Sequence, residues 1–430
     1  MVTHVSVGLL GLGTVGSGVV RMIEGNREEL QHRVGCPVFI EKILVQNVDK
    51  ERLVSINNEW LTQHPEDVIQ NPNIQVVIEV MGGIELAREY ITLALQNKKH
   101  VITANKDLMA LYGAELLQVA HENECDLFYE ASVAGGIPII RSLVDGLASD
   151  KITKMMGIVN GTTNYILTKM DKQQRNYEEV LKEAQDLGYA EADPTSDVEG
   201  IDAARKMAIL STLGFSMHIH LDDVTVSGIS KVTQEDLEYA RQFGYTLKLI
   251  GNAKKDNGKV EISVEPTLLP DSHPLASVQN EYNAVYVYGE SVGETMFFGP
   301  GAGQLPTATS VVSDLVAVVK NMRLGVNGKS VVAPQFDKQL KQPNEIDGKF
   351  FYRLYVKDEA GAFSSITSLF SLHDISLEKL IQSPVDHKGV AEVVIVTHGT
   401  NKQQDSHVYN LLRDSEMVQE IKSHYRVEGA

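Results

Sequence analysis

The sequence predicts an α/β chain: a doubly wound parallel sheet first, then an α+β region with a mainly antiparallel sheet, then a small α+β unit. Three observations predict it. Over the first 130 residues, short β-branched apolar runs alternate with helix-patterned stretches, as in a parallel sheet covered on both faces. Beyond residue 130, Gly, Thr and Asn punctuate the chain, and segments such as 260–264 and 284–288 alternate as antiparallel strands do. The last 80 residues read strand, helix, strand, strand, helix, strand, which is the ferredoxin-like order.

In chain order, strands are expected at 5–10, 38–45, 76–80, 100–103 and 127–130, with helices between them at 85–96 and 108–121. A helix follows over 177–187. The cluster Gly299-Pro300-Gly301-Ala302-Gly303 then precedes a helix-like run that ends near Met322. Residues 325–348 are polar and Pro-punctuated and read as a linker. The terminal unit is expected as strand 350–356, helix 363–373, strands 376–381 and 391–397, helix 406–413 and a last strand near Tyr425. The expected domains are 1–133 with a return helix at 304–324, then 134–303, and finally 349–430.

Composition narrows the function. The 430 residues are 43% hydrophobic and 22% charged, enough for two or three globular cores. A net charge of −18 argues against nucleic acid and acidic membrane surfaces as partners. Two cysteines, Cys36 and Cys125, with no Cys-x-x-Cys pair fit a reducing compartment and exclude a disulfide scaffold or a thiolate zinc site. The apolar opening, 5–20, lacks a basic flank and carries too many glycines for a secretory leader. No run of about 20 apolar residues occurs, so a cytoplasmic protein with no membrane span is expected.

Gly11-Leu12-Gly13-Thr14-Val15-Gly16 follows the first strand and opens a helical run. Glycines here allow a tight turn and close approach of a pyrophosphate, while the helix N-terminus offers N–H groups. Gly11, Gly13, Thr14, Val15 and Gly16 are therefore candidate dinucleotide ligands in a Rossmann unit. After the second strand the chain reads Gln46-Asn47-Val48-Asp49-Lys50-Glu51-Arg52, with no carboxylate at the strand tip itself and two cations following within a turn. These cations suit a 2′-phosphate, which favours NADP over NAD; a solvated mixed-charge loop is the competing reading.

Downstream, Pro194 breaks a helix, Ser196 or Asp197 can cap the next, and Asp202 and Lys206 share a face of it. The bland reading is a surface salt bridge. Against it, Ile201, Ala203, Ala204, Met207, Ala208 and Leu210 are apolar or small, which predicts a largely buried helix, and Glu191 lies just before the break.

This stretch, from Gly188 through Asp193-Pro194, Asp197 and Gly200-Ile201-Asp202 to Lys206, resembles the signature of homoserine dehydrogenases. So do Thr103-Ala104-Asn105-Lys106, the run Gly157 to Tyr165 and Gly299 to Gly303, which together span nearly the whole first 325 residues. The resemblance implies reduction of L-aspartate 4-semialdehyde to L-homoserine by NAD(P)H, with Lys206 as general acid–base and Lys106 as a second active-site cation. It implies Glu191 and Asp202 on the substrate ammonium, and Gly188, Asn160, Gly161 and Thr162 around the substrate. Thr103, Lys106, Gly188 and Gly303 would lie beside the cofactor. A Lys ammonium suits such chemistry, because hydride addition builds negative charge on the carbonyl oxygen and a proton must follow. The reverse reaction needs that lysine neutral, which burial beside another cation favours.

The family resemblance also implies a monovalent cation, sodium, at Glu130, Val133, Gly135 and Ile137, through one carboxylate and alternate carbonyls. The terminal unit resembles an ACT domain, with Asp358-Glu359-Ala360-Gly361 where a proline is usual in place of Ala360. That implies threonine as the expected effector, or a structural role in a homodimer or homotetramer. Two rivals stand beside this reading. One is a 2-hydroxy-acid dehydrogenase, for which no His–carboxylate pair or Arg clamp is found. The other is a dinucleotide- and amino-acid-binding sensor without turnover, which would have no need of Lys206.

Overall fold

The computed structural model describes residues 3–52, 54–329, 334–384 and 389–429. The chain begins with β1 (Val5–Leu10), α1 (Thr14–Gly25), α2 (Arg27–Val34), β2 (Val38–Leu44), β3 (Leu61–Thr62), α3 (Glu66–Ile69), β4 (Val76–Glu79), α4 (Glu85–Gln96), β5 (His100–Thr103), α5 (Lys106–Glu122) and β6 (Leu127–Phe128). Next come α6 (Ile139–Arg141), β7 (Ile152–Ile158), α7 (Gly161–Gln173), α8 (Tyr177–Asp186), α9 (Thr195–Val198), α10 (Ile201–Phe215), β8 (Thr225–Val226), α11 (Gln234–Gln242), β9 (Tyr245–Asp256) and β10 (Lys259–Pro270). Then follow β11 (Tyr282–Gly289), β12 (Gly293–Pro300) and α12 (Gln304–Leu324). The end adds β13 (Asp347–Lys357), α13 (Ala362–Leu372), β14 (Leu377–Pro384), β15 (Val390–Thr397), β16 (Thr400–Asn401), α14 (Lys402–Arg413) and β17 (Val418–Val427). Two compact units result: 1–153 with 205–222 and 283–337, and 154–204 with 223–282 and 338–430.

In the first unit a parallel sheet runs β3-β2-β1-β4-β5-β6. This is the doubly wound order, whose ligand crevice lies at the carboxyl ends of the strands where the order reverses, between β1 and β4. Every residue of β1 is buried, which explains its nearly continuous apolar sequence. Val19, Val20 and Ile23 of α1 and Ala308, Val311 and Leu315 of α12 share one core with Val5, Val7 and Leu9. The helix at 304–324 thus returns to cover this sheet. The sixth strand stops at Phe128 rather than residue 130, because Glu130–Ser132 form a short 3-10 turn. Helix α2 escapes the apolar pattern, since only Leu30 and Val34 are buried. Its signals are electrostatic: Glu28 and Glu29 in the first turn, His32 and Arg33 in the last, and Gly35 at φ 78° after it.

The second unit carries the strand order β7-β9-β10-β17-β13-β15-β14. Pairs β7–β9, β9–β10, β13–β17, β13–β15 and β14–β15 are antiparallel. The terminal module has its own core of Tyr352, Leu354, Ile366, Phe370, Val393 and Val408. It is nonetheless joined to the preceding sheet, because Thr267 and Leu268 pair in parallel with Arg426 and Val427. The expected linker at 325–348 is tied down where it is described. Phe336 bridges Met217, and Leu340 bridges Val260. Residues 330–333 of that stretch lie outside the described residues. Among the described residues, no helix is long and apolar enough to cross a membrane.

Candidate active site

The three glycines after β1 do three different jobs. Gly11 has φ 108°, and a Cβ there would stand 2.8 Å from the Val80 carbonyl oxygen. A Cβ on Gly16 would stand 2.4 Å from the Gly11 carbonyl oxygen, so this glycine lets α1 close on the turn. Around Gly13 there is open space, and no side chain caps α1 at this residue. The first-turn N–H groups of Thr14, Val15 and Gly16 therefore face a region that a pyrophosphate can enter.

On the far side of the switch point, Glu79 ends β4 and Thr103 ends β5, paired across the sheet. Thr103 Oγ1 donates to Glu79 Oε2 at 2.6 Å and accepts from Asn105 N at 3.0 Å. Asn105 Oδ1 caps α5 by accepting from Leu108 N, which makes half-buried Lys106 the first residue of that helix. Burial raises the Glu79 carboxyl above the usual carboxylate range, opposed by donors from Thr103, Met81 and Gly82. Farther along, Arg205 Nη1 lies 3.2 Å from Asp107 Oδ1 and holds the start of α5 against α10. Lys106 and Lys206 adjoin these two residues in sequence on α5 and α10. An apolar cavity of about 80 Å³ between α5 and α10, lined by Met109, Ala208 and Thr212 among others, contains none of the predicted site residues.

The polar cluster of the second unit centres on Asn160. Its Oδ1 accepts from Thr163 N at 2.9 Å and caps α7. Its Nδ2 donates to Asp197 Oδ1 at 2.7 Å and to Asp202 Oδ2 at 2.8 Å, so one amide bridges two carboxylates. Gly161 opens α7, and Thr162 Oγ1 donates to the Tyr189 carbonyl at 2.6 Å, holding the chain beside Gly188. Gly188 needs its glycine for φ 78°. Asn160, Thr162 and Asp202 are buried; Gly188 and Glu191 are exposed. The structure therefore brings Asn160, Thr162 and Asp202 together, while Glu191 stands on the loop before Pro194, its carbonyl accepting from Gln185 Nε2. Asp197, which the sequence offers as a helix cap and a signature position but not as a site residue, is the partner it missed.

Asp202 and Lys206 lie four residues apart on α10 and so share its face. Lys206 is only 8% exposed and Asp202 2%, which removes the reading as a solvated surface pair.

Arg52 donates to the Asn47 carbonyl, curling its guanidinium back toward the end of β2, while Lys50 is exposed. Gly303, at φ 123°, is the N-cap of α12 in the same unit.

At the expected cation site the carboxylate is otherwise engaged. Glu130 Oε1 and Oε2 accept from Ile140 N and Arg141 N, both at 2.8 Å, so the side chain anchors α6 rather than offering a free ligand. Its donor chemistry is left to carbonyl oxygens. Ala134 at φ 54° and Gly135 at φ 51° turn the chain sharply there, and a Cβ on Gly135 would stand 2.3 Å from the Gly301 carbonyl oxygen. The Gly135 carbonyl accepts from Ser310 Oγ, and that of Ile137 from Ile139 N. Each keeps a second lone pair with which it can accept a further contact.

Comparison with known proteins agrees with this geometry. The sequence profile described as "Homoserine dehydrogenase, NAD binding domain" matches residues 11–130, that described as "Homoserine dehydrogenase" matches 138–316, and "ACT domain" matches 353–416. The homoserine dehydrogenase of Bacillus subtilis is 62% identical over 99% of this chain and 98% of its own length. The crystal structure of a homoserine dehydrogenase from Thiobacillus denitrificans superposes with a TM-score of 0.93, at 37% identity, covering 99% of this chain and 98% of that one. A hyperthermophilic archaeal homoserine dehydrogenase in complex with NADPH, 25% identical, covers 77% of this chain and all of its own with a TM-score of 0.61. A parallel sheet with a dinucleotide loop, a buried Asp–Lys helix and a terminal ACT module, matched along nearly the full length, place this chain in the homoserine dehydrogenase family.

Proposed function

We propose that this chain catalyses the reversible reduction of L-aspartate 4-semialdehyde to L-homoserine, with Lys206 moving the proton. When bound, the nicotinamide supplies or takes the hydride. Lys206 is the buried cation on α10, one turn beyond Asp202, and this placement carries the reading. In reduction its ammonium stabilises the growing oxyanion and gives it a proton; in oxidation its neutral amine takes the hydroxyl proton. Lys106, fixed at the first turn of α5, adds a second positive charge beside the reacting end. Asp202, held by Asn160, and Glu191 receive the substrate ammonium. The backbone of Gly161 and Thr162, at the N-terminus of α7, suits its carboxylate.

NADP is the favoured cofactor, with Arg52 and Lys50 meeting the 2′-phosphate. Absorbance at 340 nm with homoserine and each cofactor tests both points. The expected result is turnover with the higher specificity constant for NADP; no turnover with either would overturn the reading, and a strong NAD preference would overturn the cofactor assignment. Sodium held by the four carbonyls should raise the melting temperature in sodium chloride relative to choline chloride, and equal melting would remove it. Threonine is the expected effector of the ACT module, and the open edge of β14 suits pairing into a homodimer or homotetramer. Calorimetric titration with threonine and sedimentation of the full chain test these two assignments: no heat removes the effector, and a monomer removes the assembly. Intrinsic fluorescence suits the effector test poorly, because the single tryptophan, Trp60, belongs to the first unit.

A further inference from the structure

A carboxylate that no part of the proposed chemistry uses lies at the floor of the dinucleotide crevice. Glu79 is fully buried at the end of β4. Its Oε1 accepts from Met81 N at 2.9 Å and Gly82 N at 3.3 Å, folding the β4 exit loop back over the strand. That loop turns through Gly82 and Gly83, both at φ 76°. Its Oε2 accepts from Thr103 Oγ1 of β5. The loop of hydrogen bonds then closes. Thr103 accepts from Asn105 N, and Asn105 Nδ2 donates to the Gly83 carbonyl at 2.7 Å. Asn105 is the N-cap of α5, and Lys106 is the next residue.

Burying a carboxyl group here is expensive for stability, since an apolar residue would end a central strand at lower cost. What the carboxylate supplies is geometry: three donors converge on two oxygens and fix two loops relative to each other. We propose that Glu79 is a positioning residue for Lys106, buckling the exit loops of β4 and β5 so that the ammonium is presented at one fixed place over the crevice. The proposal rests on the reading of Lys106 as an active-site cation. The hydrogen bonds of this buckle stay within the exits of β4 and β5 and the start of α5, while Gly11 of the dinucleotide turn packs against Met81 of the β4 exit.

The test is a double-mutant cycle on the full chain with Glu79→Ala and Lys106→Ala, read as kcat at 340 nm, together with binding of ADP-ribose, which lacks nicotinamide. Glu79→Ala should lower kcat about 10- to 100-fold, as small misplacements of an active-site group do, yet leave ADP-ribose affinity within about 2-fold. On the Lys106→Ala background the same change should cost almost nothing further. Thr103→Val should reproduce the loss, whereas Thr103→Ser and Glu79→Gln, which keep a hydroxyl and an acceptor oxygen, should recover most of it. Equal losses on both backgrounds, or weakened ADP-ribose binding, would reduce Glu79 to a support of the fold. Should Glu79→Ala fail to fold, the Thr103 pair decides alone: Val and Ser alike in kcat would overturn the proposal. A normal kcat in Lys106→Ala would instead overturn the underlying reading of Lys106, a distinct failure.

Discussion

Lys248 is a cation held away from water. Its Nζ donates to Asn164 Oδ1 at 2.9 Å, the Val278 carbonyl at 2.7 Å and Thr168 Oγ1 at 3.4 Å, pinning one face of α7 to β9. Burial pulls the amine down to about 8. An unfolded lysine keeps its proton to about 10.4. Between these values the unfolded chain binds a proton that the folded chain has shed, so this residue adds stability as pH rises through that window. Below about 8 both states are charged and its burial cost stands in full. Relative to Lys248→Met, the native chain should gain roughly 1.4 kcal/mol per pH unit from about 8 to 10.4 in denaturant titrations. Parallel stability–pH curves for the two proteins would contradict this. The sequence conceals the residue: Leu247 and Leu249 flank it, and alternation reads it as facing solvent. That rule fails because both faces of β9 are covered. Asp197 is hidden for a similar reason, since its link to Asn160 spans 37 positions that no local pattern connects.

At the scale of elements, the glycine-rich turn is the most legible feature, because Gly11 and Gly16 answer steric demands that any side chain would violate, while Gly13 leaves open space. The same geometry separates binding from folding. An added methyl at Gly13 meets nothing within 4 Å, whereas at Gly18 it would stand 2.6 Å from the Gln304 carbonyl oxygen, where α1 packs on α12. Gly13→Ala should therefore melt as the native chain does and bind dinucleotide at least about 10-fold more weakly, because the methyl occupies the path of the pyrophosphate. Gly18→Ala should do the reverse, losing on the order of 1–3 kcal/mol of stability to overpacking. Calorimetry of the melts and dinucleotide titration read the two effects; unchanged affinity in Gly13→Ala would break the argument. Helices with strong apolar period, such as α4, appear at their expected bounds. Helix α2, held by charge placement and a left-handed glycine, does not announce itself that way.

Across the whole chain, the sequence gives three modules but not the edges at which they meet. Strand and helix order identifies the terminal ACT module, yet nothing in the pattern of β17 says that it pairs with β10. A buried ion cluster reinforces that joint. Arg353 Nε lies 2.8 Å from Asp236 Oδ1 of α11, and its Nη1 lies 3.2 Å from Glu392 Oε1 of β15. Ser423 and Tyr425 of β17 donate to the same Asp236 carboxylate. Arg353 and Asp236 are each 1% exposed, so removing the guanidinium leaves carboxylates buried without their counter-charge. Arg353→Met should cost about 3–5 kcal/mol, and adding Asp236→Asn should recover part of it. Melting of Arg353→Met at the native temperature would show that the cluster contributes nothing to the joint.

The proposed proton transfer turns on one amine. Single-turnover oxidation of bound NADPH by L-aspartate 4-semialdehyde, compared between the native chain and Lys206→Ala, tests it most directly. The predicted result is a rate lower by about 10²- to 10⁴-fold with NADPH affinity nearly unchanged, as for loss of a general acid. A rate within about 3-fold of native would contradict it, since an effect that small falls below any general-acid contribution.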